Sequence, residues 1–199
     1  MENNYILRRL RYTFDINDKQ MIKIWANADT EVTREQISAW LKKEDDTAYI
    51  ACNDLNLAKF LNGFIIKHRG PSDGPQMKPE SRLNNNIILR KLKIALTLRD
   101  DDVIEILALA DKPIGKSELS AFFRKKGHPH YRDMQDQLLR RFMQGLQMKH
   151  RGDEEKLKDE TPEEAEVQNK PERQHKEITQ STEQVDEEGI NSDIWNKKK

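Results

Sequence analysis

The sequence contains a single cysteine, Cys52, among 199 residues, which excludes an intramolecular disulfide and fits a reducing compartment. It has no run of 18 apolar residues, so no membrane-spanning helix is expected. The first residues show no apolar stretch resembling a signal peptide. There are only 8 glycines, and none of them forms a glycine-rich phosphate-binding loop. These absences predict a soluble cytoplasmic protein with no membrane contact.

The chain has no excess of charge of either sign, because 35 basic residues balance 35 acidic ones. The two signs are nevertheless separated along the chain. Residues 1–152 carry 27 lysines and arginines against 20 aspartates and glutamates, whereas residues 153–199 carry 8 against 15. Large apolar residues are scarce beyond residue 153, which predicts a disordered acidic tail. A basic body favours an anionic partner, which an acidic tail would screen or compete with.

What the chain does contain is a copy of itself. A shift of 82 residues places residues 6–70 on residues 88–152 without a gap, and Lys67-His68-Arg69-Gly70 then coincides with Lys149-His150-Arg151-Gly152. Self-similarity at a fixed period indicates one folding unit used twice. The predicted organisation is a first repeat (1–70), a linker (71–86), a second repeat (87–152) and the acidic tail (153–199).

Apolar residues recur at helical spacing within each repeat and indicate about four helices per repeat. The segment Thr33-Arg34-Glu35-Gln36 has the pattern of a capping box at the start of the third helix. Gly70 follows a basic last turn and is expected to end the fourth helix. No alternation typical of a strand is present. The predicted fold class is all-α, with Trp40 and Phe122 buried at equivalent positions of the two third helices.

The order of helices in each repeat resembles a helix-turn-helix domain of the phage-repressor kind, in which a helix enters the major groove. Residues 29–32 make a turn about two residues longer than that family prefers. The loop Glu44-Asp45-Asp46 of the first repeat would also repel phosphate. The second repeat has a basic run containing histidine and tyrosine at residues 124–132, a composition expected of a nucleic-acid contact; the alternative is a solvated loop. The candidate nucleic-acid-binding residues are Lys116, Ser117, Ser120, Arg124, Lys125, Lys126, His128, His130 and Arg132.

Residues that could carry catalysis or bind a metal do not keep their chemistry in the sister repeat. His128 and His130 correspond to Asp46 and Ala48, and no further ligands lie at a metal-binding spacing. Cys52 occupies an apolar-tolerant position and is expected in the core. No Ser/His/Asp arrangement is recognisable. We therefore predict no catalytic residue, no metal, no cofactor and no enzymatic activity.

Four stretches of the body carry a family resemblance: REQISAWLKKEDD (34–46), FLNG (60–63), RLNNNIILRKL (82–92) and EILALAD (105–111). They resemble the YehS-like family, small bacterial cytoplasmic proteins built from a duplicated domain of unknown function. The resemblance covers residues 1–152 and leaves the tail outside. It implies a bacterial source and a duplicated helical domain, and it supplies no established activity or catalytic residue.

Two functional hypotheses follow from the sequence. The first is a non-enzymatic regulatory protein that binds DNA or RNA, mainly through its second repeat. The second is a protein-interaction module or adaptor that does not bind nucleic acid. In that hypothesis a protein partner would dock on Ile190, Ile194 and Trp195, an apolar cluster at the end of the tail.

Overall fold

The computed structural model describes residues 1–152, and that part of the chain consists of helices and connecting loops. Four helices belong to each repeat, so the predicted all-α class with two four-helix repeats is confirmed. The helices are α1 (Asn3–Thr13), α2 (Asp18–Asn27), α3 (Arg34–Leu41), α4 (Asp54–Arg69), α5 (Asn85–Ala95), α6 (Asp100–Leu109), α7 (Lys116–Phe123) and α8 (Asp136–Arg151).

Side chains at the helix starts satisfy backbone N–H groups that have no partner within the helix. The predicted capping box at Thr33 is present, since its hydroxyl accepts from the backbone N–H of Gln36 at 3.2 Å. Asn17 forms a second box at the start of α2. In the second repeat, α7 begins after Gly115, which has no side chain to act as a cap. Equivalent helices of the two repeats therefore begin with different N-terminal caps.

Helices α4 and α8 both end at glycine, as the sequence predicts for Gly70. Gly70 has φ +81° and Gly152 has φ +76°, the left-handed region in which glycine carries no side-chain penalty. Two other glycines allow close helix packing. A Cβ on Gly63 would lie 1.7 Å from the carbonyl oxygen of Ile24, and one on Gly145 would lie 1.8 Å from that of Ile106. Within each repeat, the fourth helix therefore touches the backbone of the second.

The two repeats interlock within one compact unit. Helix α1 of the first repeat packs on α8 of the second, and α4 packs on α5. Arg9 is buried at the first of these contacts, where its Nη1 donates to Oε1 of Gln147 at 2.8 Å. Its counterpart Lys91 is buried at the second contact and forms an ion pair with Glu80 at 2.9 Å. Each buried cation has a partner, as burial of charge requires.

Trp40 and Phe122 are buried, with exposed fractions of 6% and 4%, which confirms the prediction made for them. Trp40 contacts Trp25 at a ring-centroid separation of 5.3 Å. Cys52 is also a core residue, and burial raises the pKa of its thiol to about 12. A thiol with such a pKa is a poor nucleophile near neutral pH. Among the helices of residues 1–152, none is both long and apolar enough to span a membrane.

Candidate nucleic-acid interface

A buried asparagine holds the loop that follows α7. The Nδ2 of Asn86, on α5, donates to the carbonyl oxygens of Phe122 at 2.9 Å and Arg132 at 2.8 Å. Its Oδ1 accepts from the backbone N–H of Met134 at 2.9 Å. Asn4 does the same in the first repeat, where its side chain bonds the loop after α3. One residue type thus fixes the same loop in both repeats, a role that the sequence patterns did not indicate.

The backbones of the two loops form the same hydrogen bonds. In the second repeat, the N–H of His128 donates to Lys125 at 3.0 Å and that of Tyr131 donates to His128 at 2.8 Å. In the first repeat, the N–H of Asp46 donates to Lys43 at 3.1 Å, and Tyr49 donates to Asp46 at 2.9 Å. We call residues 42–50 the acidic loop and residues 124–132 the basic loop.

His128 takes the place of Asp46 in holding the turn. Oδ1 of Asp46 accepts from the backbone N–H of Ala48 at 2.8 Å. In the basic loop, Nδ1 of His128 accepts from the N–H of His130 at 3.1 Å. His128 is therefore a structural residue of the turn, because its ring nitrogen satisfies a backbone donor.

Because His128 replaces Asp46, the basic loop also lacks the ion pair that the acidic loop contains. Lys42 donates to Oδ2 of Asp46 at 2.6 Å, and this hydrogen bond lowers the pKa of that carboxyl. The corresponding contact of the basic loop joins Nη1 of Arg124 to Nε2 of His128 at 3.3 Å. Since Nδ1 of His128 accepts a hydrogen bond, the neutral ring carries its proton on Nε2. The contact therefore leaves the guanidinium charge unneutralised.

The basic loop exposes cations that have no carboxylate partner within residues 1–152. These cations are Arg124, Lys125, Lys126 and Arg132. The acidic loop differs at the matching positions: Glu44 stands where Lys126 does, and its hydrogen bond with Glu2 raises the pKa of the Glu2 carboxyl. The surface of the second repeat is therefore positively charged at the place where the first repeat carries carboxylates.

The predicted binding residues lie in two places, on α7 and in the basic loop that follows it. Lys116, at the start of the helix, forms an ion pair with Asp101 at 2.7 Å, whereas the basic loop begins where the helix ends. Eight residues of α-helix separate the two ends by about 12 Å. Ser117 and Ser120 are exposed on the helix between them. The loop cations and both histidines, His128 and His130, therefore form one surface, and Lys116 lies apart from it.

Arg90 is a residue of this surface that the sequence patterns did not single out. Its Nη2 donates to the carbonyl oxygen of Phe123 at 3.0 Å, immediately before the basic loop. A hydrogen bond to Asp133 raises the pKa of the Tyr131 hydroxyl, whereas the charge of Arg90 acts to lower it. The sequence repeat could have indicated Arg90, because it is equivalent to Arg8 and both repeats therefore have arginine at this position.

The two KHRG endings come together at the junction of the repeats. His68 and His150 lie in the last turns of α4 and α8, and both rings contact Phe14, with centroids 5.9 and 4.7 Å away. They line an open groove of about 460 Å³. Burial lowers the pKa of both imidazoles, and Lys67 and Lys149 lower them further.

A second open groove, of about 480 Å³, is lined by three arginines, two of which are paired with carboxylates. Arg11 contacts Asp18 at 2.8 Å and Arg151 contacts Asp15 at 3.6 Å. Among the described residues, no three His, Cys, Asp or Glu side chains converge as a metal site requires. The basic loop is therefore the strongest candidate site in residues 1–152.

Comparison with known proteins identifies the duplicated unit. The model of a family described as "Protein of unknown function (DUF1456)" matches twice, at residues 3–70 and 85–152. The chain belongs to this family. The two matched segments contain the two four-helix repeats, and the basic loop lies within the second.

A relative from Escherichia coli (strain K12), the uncharacterized protein YehS, is 41% identical over 147 residues. The alignment covers 73% of this chain and 94% of YehS. No solved structure matches the chain. The tail residues suggested as a protein-docking motif, Ile190, Ile194 and Trp195, lie outside the described residues.

Proposed function

We propose that this protein is a non-enzymatic, nucleic-acid-binding regulatory protein and that its basic loop is the contact surface. The loop belongs to the second of two helix-turn-helix-like repeats. The proposal is carried by one observation: the two loops form the same backbone hydrogen bonds, yet residues 124–132 have four exposed cations and no carboxylate, whereas residues 42–50 have three carboxylates. The shared backbone hydrogen bonds do not require cations, because the acidic loop forms them with Glu44 where the basic loop has Lys126.

The four loop cations would contact phosphate oxygens of DNA or RNA. Arg124 lies with its Nη1 3.3 Å from Nε2 of His128, and Arg90 extends the positive surface towards α5. Such contacts fix the position of a protein on the nucleic-acid backbone and carry little sequence information. The interaction is expected to depend strongly on salt, because each neutralised phosphate releases counterions.

The test is binding of the full-length protein to labelled DNA and RNA across a range of salt concentrations. Four phosphate contacts predict a log–log slope of about −4 for duplex DNA, at about 0.9 per contact. Replacing Lys125 and Lys126 together by alanine should reduce the magnitude of that slope by about 2.

The matched control is the double variant Lys42→Ala/Lys43→Ala in the acidic loop, which should leave the slope unchanged. Far-UV circular dichroism verifies that both variants fold. Absence of binding at low salt, or a slope that does not change with Lys125 and Lys126, would refute the proposal.

The acidic loop supports a second candidate function, which is a protein contact. Ile50, with an exposed fraction of 55%, stands where the basic loop has Arg132. Exposed apolar residues bordered by charge are typical of protein-interaction surfaces. A pull-down with the full chain and its Ile50→Lys variant tests this function. A partner retained by the chain and lost by the variant would support the protein-interaction hypothesis.

A further inference from the structure

Three ring side chains lie among the cations of the basic loop. His128, His130 and Tyr131 stand between Lys126 and Arg132 in the chain. Both histidine rings are exposed, with centroids 5.6 Å apart and planes inclined by 47°. Proteins that bind single-stranded nucleic acid combine cations along the backbone with rings on which unpaired bases stack.

The opposite end of α7 is unfavourable for a duplex. A helix-turn-helix protein inserts the N-terminal residues of its recognition helix into the major groove, with phosphates on either side. Here the N-terminal residue Lys116 is engaged by Asp101, and Asp100 also acts on it, so that both carboxylates raise its pKa. Glu118 is exposed on the same first turn. Asp100 is also paired with Lys93, so Asp101 and Glu118 are the carboxylates that a duplex approaching the start of α7 would meet, beside a lysine that is already engaged.

The favourable and unfavourable charges thus lie at opposite ends of one short helix. The cations and rings gather at its C-terminal end, about 12 Å from the carboxylates. A duplex large enough to receive the helix would meet both groups, whereas a single strand can follow the basic loop alone. The rings gain contacts only from unpaired bases, because the bases of a duplex are already stacked on each other.

We infer that the basic loop binds single-stranded nucleic acid, with bases stacked on His130 and Tyr131 and phosphates on the surrounding cations. This inference rests on the proposed function and specifies its ligand. His128 is assigned to the turn, since its Nδ1 is bonded to the backbone. Tyr131 is held at its hydroxyl by Asp133 at 2.6 Å, an arrangement that fixes the ring for stacking.

The experiment measures fluorescence anisotropy of the full-length protein with a labelled 12-nucleotide single strand and with a hairpin duplex of the same sequence. DNA and RNA versions of both probes distinguish the two sources of single strand. We expect the single strand to bind at least about tenfold more tightly than the duplex at the same salt concentration. His130→Trp, which enlarges the exposed ring, should strengthen single-strand binding and leave duplex binding unchanged.

The repeat supplies a matched control for the tyrosine. Tyr131→Ala should weaken single-strand binding about tenfold, as expected for one lost stacking contact, whereas the equivalent Tyr49→Ala should have no effect. Equal affinity for single strand and duplex, with no response to His130→Trp, would overturn this inference while leaving the proposed function intact. Absence of binding to every probe would overturn both.

Discussion

The acidic loop and the basic loop share their backbone hydrogen bonds and differ in charge, and in backbone angle at Gly127, which has φ +95°. Asn4 and Asn86 anchor them with equivalent hydrogen bonds, and each turn is closed by the side chain of Asp46 or His128. Glu44 of the first loop is replaced by Lys126 in the second. The buried asparagines are the same in both repeats, whereas exposed positions differ: Lys43 is kept as Lys125, but Ile50 is replaced by Arg132.

This difference separates two requirements on the sequence. The inward side chains satisfy buried donors and acceptors, and an unsatisfied buried polar group costs about 1–3 kcal/mol. Surface substitutions away from such features usually change stability by less than about 0.5 kcal/mol. Charge on the loops could therefore diverge while the fold stayed the same. The predictions below test first what the repeats share and then what separates them.

The largest effect is expected at the glycines that the repeats share. Gly145→Ala would place a Cβ 1.8 Å from the carbonyl oxygen of Ile106, a backbone atom that cannot move without displacing α6. We expect a loss of more than about 3 kcal/mol in the free energy of unfolding, measured by urea denaturation. Gly63→Ala should behave alike. Gly74→Ala is the control, since its Cβ meets only Ser72 Oγ at 3.7 Å. A small effect at Gly145 would contradict the close packing of α8 on α6.

The next effect is expected at the buried asparagines. Asn86→Ala would leave the carbonyls of Phe122 and Arg132 and the N–H of Met134 without their partner. The expected loss is about 3 kcal/mol, and Asn4→Ala should cost a similar amount. Denaturation curves of the two variants check the equivalence. In each variant, backbone hydrogen exchange should become faster in the loop that the replaced asparagine anchors. The loop of the other repeat should keep its exchange rate. A loss of stability in only one of the two variants would show that the loops are anchored differently.

A smaller effect concerns pH at the repeat junction. Burial lowers the folded-state pKa of both His68 and His150 below the ordinary value of 6.5. The neutral imidazoles therefore stabilise the folded state above the unfolded-state pKa, and this stabilisation is lost as pH falls from about 6.5 through the folded-state values. We expect the unfolding temperature to fall over that range. His68→Gln and His150→Gln should each flatten the dependence. An unchanged dependence in both variants would exclude these histidines as its source.

The smallest effect on stability is expected from exchanging the loop charges. Lys126→Glu with His128→Asp gives the basic loop two side chains of the acidic loop, in a turn that forms the same backbone hydrogen bonds. The free energy of unfolding should change by about 0.5 kcal/mol or less. If the proposed function holds, nucleic-acid affinity should fall by more than about tenfold at low salt. The reverse exchange, Glu44→Lys with Asp46→His, is the matched variant. A large loss of stability would show that the charges are needed for the turn itself.

The sequence by itself determined the repeat, the helices and much of the core. The capping box at Thr33 and the helix end at Gly70 were predictable because each depends on residues within a few positions along the chain. Trp40 and Phe122 were predictable because helical periodicity places them on a buried face. The basic loop was also visible, since its composition differs from that of its sister segment.

Only the tertiary structure decided which residues act together. It packed α1 on α8, joined Asn86 to a loop more than 35 residues away, and brought His68 and His150 to the ring of Phe14. It also paired Lys116 with Asp101 and so removed that lysine from the predicted surface. These contacts join residues that are distant in sequence, and no local spacing encodes them. They form because packing the helices together buries their apolar faces and gives the buried Asn4 and Asn86 hydrogen-bond partners in another element.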